Sequence, residues 1–409
     1  MLALLTLFAG PAVARSVGYP PEGLPVGRWI LAPYFISQVG MEENLFRLSS
    51  CPVEEPDCLD AQAVSRNAIG LAARLPVRNS LIELRYQAEK RQYERAAPPL
   101  RPLEEIFGAL FQFSFSTGDQ LIISDNYTRG SSDVRAIDEG GEFEFQDRPY
   151  DLNRFEAMWT RTNPSRKGFI VRVARVDLNF APPEDPLNKP IPFFDYRGFE
   201  SSFEYRQPMG GRNWLRVYYD SRRFNHYEPN DRTQVGVPFR EEVADTLQLG
   251  LGGLAGRAKP FNLRVGYGRF RLEGTGAEYN GIVGAADLAI GVGARTNLTF
   301  QVWRRPLPSN FDTYYIVNSF RMGVERPFLR QFMAGLSAQY SRSEYGDLFE
   351  GETEIRKDHR YLLEAYFDWF VHPRVAIRLA GGHQERVSSF DDNDFKASAA
   401  TIGLRLGWF

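Results

Sequence analysis

The chain has 409 residues, with 49 Lys and Arg against 51 Asp and Glu, so it presents no global basic field for nucleic acid and no charged tail. Hydrophobic residues make up 43%, an ordinary share, while aromatics at 14% are abundant. After residue 15 no run of 18 apolar residues occurs; this excludes a transmembrane helix but not a membrane barrel, whose strands need only alternate residues apolar.

The first stretch, "MLALLTLFAGPAVARS", has an apolar run from Leu2 to Phe8 and a small-x-small site at Ala12-Val13-Ala14. It reads as a secretory signal peptide, residues 1–14, although no Lys or Arg precedes the run. Residues 15–27 read as a short periplasmic lead-in. Cys51 and Cys58 are the two cysteines of the chain. In a chain that leaves the cytosol, a close pair reads as a disulfide stapling one loop, and its spacing does not suit zinc.

From residue 28 onward the dominant period is 2. In "SLIELRYQAEKR", Ile82, Leu84, Tyr86 and Ala88 oppose Glu83, Arg85, Gln87 and Glu89. In "GFESSFEYR", Phe199, Phe203 and Tyr205 oppose Glu200, Glu204 and Arg206. In "RYLLEAYFDWF", Tyr361, Leu363, Ala365, Phe367 and Trp369 oppose Glu364 and Asp368, and in "RVAIRLAG", Val375, Ile377 and Leu379 oppose Arg378. Alternation of this kind is the strand signature. About eighteen such segments follow one another, centred near residues 33, 70, 85, 110, 124, 155, 173, 201, 218, 247, 266, 285, 300, 318, 336, 365, 379 and 403. In "NLRVGYGRFRL" the opposite parity of Arg264 and Arg269 calls for a bulge or for a strand leaving the membrane.

Every second connection is short, as in "LPVRNS", "STGD", "TNPSRKG", "QPMGGRN" and "VHPRV". The intervening ones are longer and polar. This alternation predicts an all-β fold: a closed antiparallel transmembrane β-barrel of about 18 strands over residues 28–409, with short periplasmic turns and longer extracellular loops. The short turns are basic, with Arg78, Arg166, Lys167, Arg212, Arg257, Lys259, Arg295, Arg326, Arg330 and Arg374 opposed by Asp119 and Glu325. Trp29, Trp159, Trp214, Trp369 and Trp408 fall at strand ends beside short turns or a terminus, as an interfacial aromatic girdle would. The last segment, "TIGLRLGWF", alternates Ile402, Leu404, Leu406 and Trp408. Thr401, Gly403, Leu406 and Trp408 fit the pattern of a terminal strand read by barrel-assembly machinery, and Phe409, counted with them as the assembly signal, is one residue out of step.

Eighteen strands close at a backbone radius of roughly 18 Å, too wide for side chains alone to fill. A water-filled lumen is expected unless loops fold in. Its lining is expected to include Glu83, Arg85, Glu89, Glu200, Glu204, Arg216, Asp220, Arg222, Glu364, Asp368, Arg378 and Arg405. Such mixed charge suits neutral or weakly charged hydrated solutes better than a strongly anionic polymer.

No enzyme, metal or cofactor is expected. Of His226, His359, His372 and His383, His372 lies in a short turn and His226 in a long loop, while His383 shares the lipid-facing parity of Val375, Ile377 and Leu379; the residue two along from His383 is Glu385 rather than a Ser that would complete a surface hydrolase. "DDND" at 391–394 lacks calcium-loop spacing.

The segments "YFISQVGMEENLFRL", "SLIELRYQAEKRQYE", "DYRGFESSFEYR", "LTFQVWRRPLPS" and "MGVERPFLRQFMAGLSAQYSRSEY", together with the run from "RKDHRYLLEAYFDWFVHPRV" to "DDNDF", resemble the outer-membrane β-barrel porin 2 family, barrels associated with exopolysaccharide export. The resemblance spans most of residues 28–409. It implies an outer-membrane conduit, in contact with membrane lipid, that passes a secreted polysaccharide. It also implies a periplasmic polysaccharide-export protein docked at the basic turns. A diffusion porin and a structural or adhesive barrel with a blocked lumen are the alternatives.

Overall fold

A computed structural model of the chain describes residues 23–44, 60–94, 103–116, 118–131, 149–181, 195–227, 240–255, 259–293, 295–309, 313–346, 354–390 and 393–407. The segment read as a signal peptide, Cys51, Cys58, Trp408 and Phe409 lie outside these residues.

The strands, in chain order, are β1 (Leu24–Val26), β2 (Trp29–Glu42), β3 (Gln62–Val77), β4 (Ser80–Tyr93), β5 (Leu103–Ser116), β6 (Asp119–Ser131) and β7 (Pro149–Thr162). Then come β8 (Gly168–Phe180), β9 (Asp195–Pro208), β10 (Trp214–Tyr227), β11 (Glu241–Ala255), β12 (Lys259–Glu273) and β13 (Glu278–Val292). The last six are β14 (Thr296–Pro308), β15 (Tyr314–Phe328), β16 (Phe332–Tyr345), β17 (Lys357–His372), β18 (Val375–Ser388) and β19 (Phe395–Gly407). Each expected segment centre falls inside one of β2 to β19. The short β1 lies in the stretch read as a lead-in and pairs with β2 alone.

Every neighbouring pair from β2 to β19 is antiparallel, and β19 closes on β2 from Ala399↔Glu42 to Gly407↔Tyr34. Among the described residues this closure leaves none of β2 to β19 with an unpaired edge, which a sheet in a membrane requires. Among the described residues the register shifts only between Ser114 and Ser116 and between Phe370 and His372, both beside short turns. No bulge separates Arg264 from Arg269: their strand keeps continuous register with both neighbours. Arg269 instead lies on the outer side beyond Tyr267, paired with Glu278 at 3.1 Å, so the strand outruns the apolar belt.

The short turns are built for tight reversal. Between Val77 and Ser80 only two residues intervene, and Arg78 takes a φ of 52°. Such left-handed backbone suits the right-handed twist of a two-residue hairpin. After β7, the Asn163 side chain accepts the Lys167 backbone N–H at 2.9 Å, and Arg166 has a φ of 62°.

The two faces of the cylinder are identified by curvature. On the concave side, side chains from strands two apart converge. Arg154 on β7 reaches Glu200 on β9 at 2.6 Å, and Arg321 on β15 reaches Glu364 on β17 at 3.1 Å. The opposite parity carries the exposed apolar residues, among them Ile282 (64%), Leu249 (59%) and Leu247 (56%). Eight to ten residues of strand tilted about 40° cover roughly 21–26 Å of height, the thickness of a bilayer's apolar band. In water this belt would be a very large exposed apolar surface; in lipid it is the required one. The chain is an integral barrel of the outer-membrane type.

Concave-face tyrosines lie against glycines on neighbouring strands. A Cβ at Gly70 would overlap the Tyr34 ring, and one at Gly335 would overlap the Tyr366 ring. The Tyr34 hydroxyl is held by Gln87 Oε1 at 2.6 Å, so the ring cannot swing away freely. Gly70→Val is therefore expected to destabilise the barrel by about 1–3 kcal/mol through overpacking. Urea unfolding in vesicles checks this, and Tyr34→Ala in the same chain should relieve most of the loss.

Candidate translocation lumen

All twelve residues expected to line the lumen fall on the concave face, and at least eleven of them have an ionic or hydrogen-bonding partner there. Glu83 is bound by Arg74 and Arg85, both at 2.6 Å. Glu89, whose side chain is 2% exposed, is bound by Arg66 at 2.6 Å and Arg91 at 2.8 Å, and Arg91 reaches on to Glu104 at 3.0 Å. Arg154 joins Glu200 to Glu156. Glu204 accepts Arg206 at 2.6 Å and lies 3.5 Å from Arg216. Arg222 binds Glu242 at 2.7 Å, and Asp220 accepts the Thr246 hydroxyl at 3.4 Å. Asp368 takes both Nε and Nη2 of Arg378 at 2.6 Å. Arg405 pairs in register with Ala376 on one side and Ile36 on the other.

The sequence reading omitted Arg66, Arg74, Arg91, Arg154 and Arg321 from this lining. Arg66 and Arg74 sit in "QAVSRNAIGLAARLPV", where small residues blur the alternation. Arg154 could have been found by counting parity back from Trp159, which faces outward. Every described concave-face cation of the arginine and lysine kind is an arginine; Lys90, Lys357 and Lys396 have the outward parity. Arginine's planar fork suits a wall in which each cation must satisfy carboxylates on two strands.

The lumen divides along its axis. In the periplasmic half, many concave-face residues are partly exposed, among them Ile170 and Arg172 on β8, Asn262 and Arg264 on β12, Arg321 and Glu325 on β15, and Arg378 on β18, although Asp368 and Ala376 are buried. In the extracellular half the same faces are buried. Leu178, Phe270, Leu272, Tyr315 and Val317 are fully buried, and Val176, Phe224, Tyr345 and Phe395 nearly so. A side chain facing an open bore would be wet. The concave wall is thus polar and partly exposed toward the periplasm, and its side chains are covered at these outer positions. A buried polar cluster belongs to the covered half: Asp358 binds Arg356 Nε at 3.0 Å and Nη2 at 2.7 Å and accepts the Ser388 hydroxyl at 2.6 Å.

Two further corrections follow from register. Trp214 begins β10 beside a short turn, but it shares the concave parity of Arg216 and Tyr218 and lies under the Arg166 guanidinium at 5.4 Å. Trp29, Trp159 and Trp369 have the outward parity. His226, read as a loop residue, is a buried concave-face residue of β10. His383 does face outward, and a serine does meet it: Ser398, opposite on β19, lies 3.0 Å from its Nδ1. Among the described residues no carboxylate orients this imidazole, so the two make a polar pair rather than a triad. In the terminal strand, Thr401 and Gly403 face inward while Leu406 faces outward.

No family model matches the chain, and no curated protein matches it. Solved barrels do. The outer membrane protein OpdK from Pseudomonas aeruginosa is 12% identical, with 92% of this chain and 99% of that one covered at a TM-score of 0.51. OpdO from the same organism is 9% identical, with coverages of 94% and 98% and a TM-score of 0.53. OccAB4 from Acinetobacter baumannii is 9% identical, covers 95% of this chain and 100% of that one, and has a TM-score of 0.51. At such identities the likeness is one of fold: a single outer-membrane β-barrel along nearly the whole chain.

Proposed function

We propose that the protein is an outer-membrane channel and that its solute is a polysaccharide leaving the cell. The observation that carries this reading is the polar concave wall toward the periplasm. It bears both charge signs, extensively paired, so that neither attracts a counter-charged polymer strongly. Hydroxyls and carboxylates between the arginines offer hydrogen bonds to a hydrated sugar chain. An exported chain arrives from the periplasmic side, where this wall is partly exposed. The segments resembling exopolysaccharide-associated porins support the same reading. The basic short turns are the surface we assign to a periplasmic export partner.

Deletion of the gene is the test. Loss of surface polysaccharide, restored by the intact gene, is expected; a deletion strain that exports its full complement overturns the proposal. The second reading is a small-solute channel, favoured by the fold shared with Pseudomonas aeruginosa OpdK, which has been solved with vanillate. It predicts high conductance of the purified protein in planar bilayers and no polysaccharide defect.

A further inference from the structure

Beyond the apolar belt, the convex face of β8, β9 and β10 carries three arginines that no lumenal role explains. Phe199 on β9 lies in register between Arg175 on β8 and Arg223 on β10. Arg197 stands two residues along from Phe199 on the same strand, opposite Asp177. The three arginine side chains are 48%, 58% and 46% exposed for Arg175, Arg223 and Arg197. Asp177 accepts Nε of Arg175 at 2.8 Å and Nε of Arg197 at 2.6 Å. One carboxylate therefore fixes two guanidinium planes and leaves their terminal nitrogens without a protein acceptor among the described residues. Arg223 comes no closer than 4.0 Å to Asp245. Phe199 is 60% exposed, and Val173, next toward the periplasm on β8, is 49% exposed.

We propose that this patch binds the phosphate of an anionic lipid in the outer leaflet. The argument is one of matched chemistry. The site sits where the apolar belt ends, so its apolar floor meets acyl chains and its cations meet headgroups. Its charge is net positive, with three guanidiniums against Asp177 and, 4.0 Å from Arg223, Asp245. Guanidinium forks recognise phosphate oxygens in pairs. Asp177 has already fixed the geometry of two of them, so little side-chain freedom remains to be lost on binding. A soluble acidic protein would match the charge, but it would leave Phe199 and Val173 unused.

The test uses the full chain folded in phosphatidylcholine nanodiscs, with bisphosphorylated lipid A and its dephosphorylated form as probes and lipid retention read by native mass spectrometry. The intact protein is expected to retain the phosphorylated probe roughly tenfold better than the R175Q/R197Q/R223Q variant. The dephosphorylated probe should be retained equally by both. Arg223→Gln alone leaves the Asp177 pairing intact, so it tests the site even if the triple variant fails to fold; a reduction of about threefold is expected. R342Q, on the far wall, should change nothing. Equal retention of the two probes by the intact protein, or equal retention by the intact protein and Arg223→Gln, overturns the proposal. So does preferential capture of an acidic protein with no lipid bound.

Discussion

Asp368→Ala is expected to be among the most damaging single substitutions in the lumen, lowering stability by about 3–5 kcal/mol. The carboxylate is almost completely buried, with 1% of its side chain exposed, and it holds Arg378 through two bonds of 2.6 Å. Arg378 also lies over the Tyr366 ring at 4.5 Å, and the Tyr366 hydroxyl donates to Glu325 at 2.7 Å. The ring itself rests against Gly335. Removing the carboxylate strands a guanidinium in this packed layer. Arg405 lies within electrostatic reach of both Arg378 and Asp368, so the substitution also removes a negative charge that both arginines feel.

Urea unfolding in lipid vesicles measures the loss, and a second variant tests its cause. If an uncompensated charge is the damage, removing both partners should undo most of it. Asp368→Leu with Arg378→Met keeps volume and discards the pair, and such replacements are often neutral or stabilising. The double variant should therefore unfold at higher urea than Asp368→Ala. A double variant as weak as the single one would show instead that shape at this position matters and charge does not.

The strands were legible because their signal is local. Parity in "GFESSFEYR" or "RYLLEAYFDWF" is set by two environments, lipid and lumen, that demand opposite chemistries of adjacent residues. Glu200, Glu204, Glu364 and Asp368 could be assigned to a face without knowing any partner. Partners could not be assigned, because they depend on inter-strand register. Nothing in the sequence says that Arg74 stands opposite Glu83, or that Arg154 crosses a strand to reach Glu200. The covered outer half was hidden for a different reason. Leu178, Phe270 and Leu272 alternate with polar residues such as Asp177, Arg269 and Arg271. Read alone, that pattern is a lipid face with inverted register, and only continuity with Arg172 and Arg264 on the same strands turns it inward. Trp214 was misplaced although its parity was visible in "NWLRVYY": position at a strand end was weighed above its step from Arg216.

Ile402→Arg and Thr401→Arg place the same charge one residue apart on β19, and only the first is expected to damage the barrel. Ile402 is 49% exposed on the convex face, between Leu404 and Ala400, and it pairs with Val39 and Leu379. An arginine there faces hydrocarbon, at a cost of about 2–4 kcal/mol near the bilayer midplane. Thr401 pairs with Gly40 and Ala380 on the concave face, where small neighbours leave room and the wall is already polar. Because β19 supplies the seam with β2, failure at Ile402 should also reduce the yield of closed barrel. Refolding yield into vesicles and urea midpoint together read both effects. Equal losses for the two variants would mean that the seam is sensitive to bulk and not to side. A loss confined to Ile402→Arg ties the alternation visible in "TIGLRLGWF" directly to the lipid it faces.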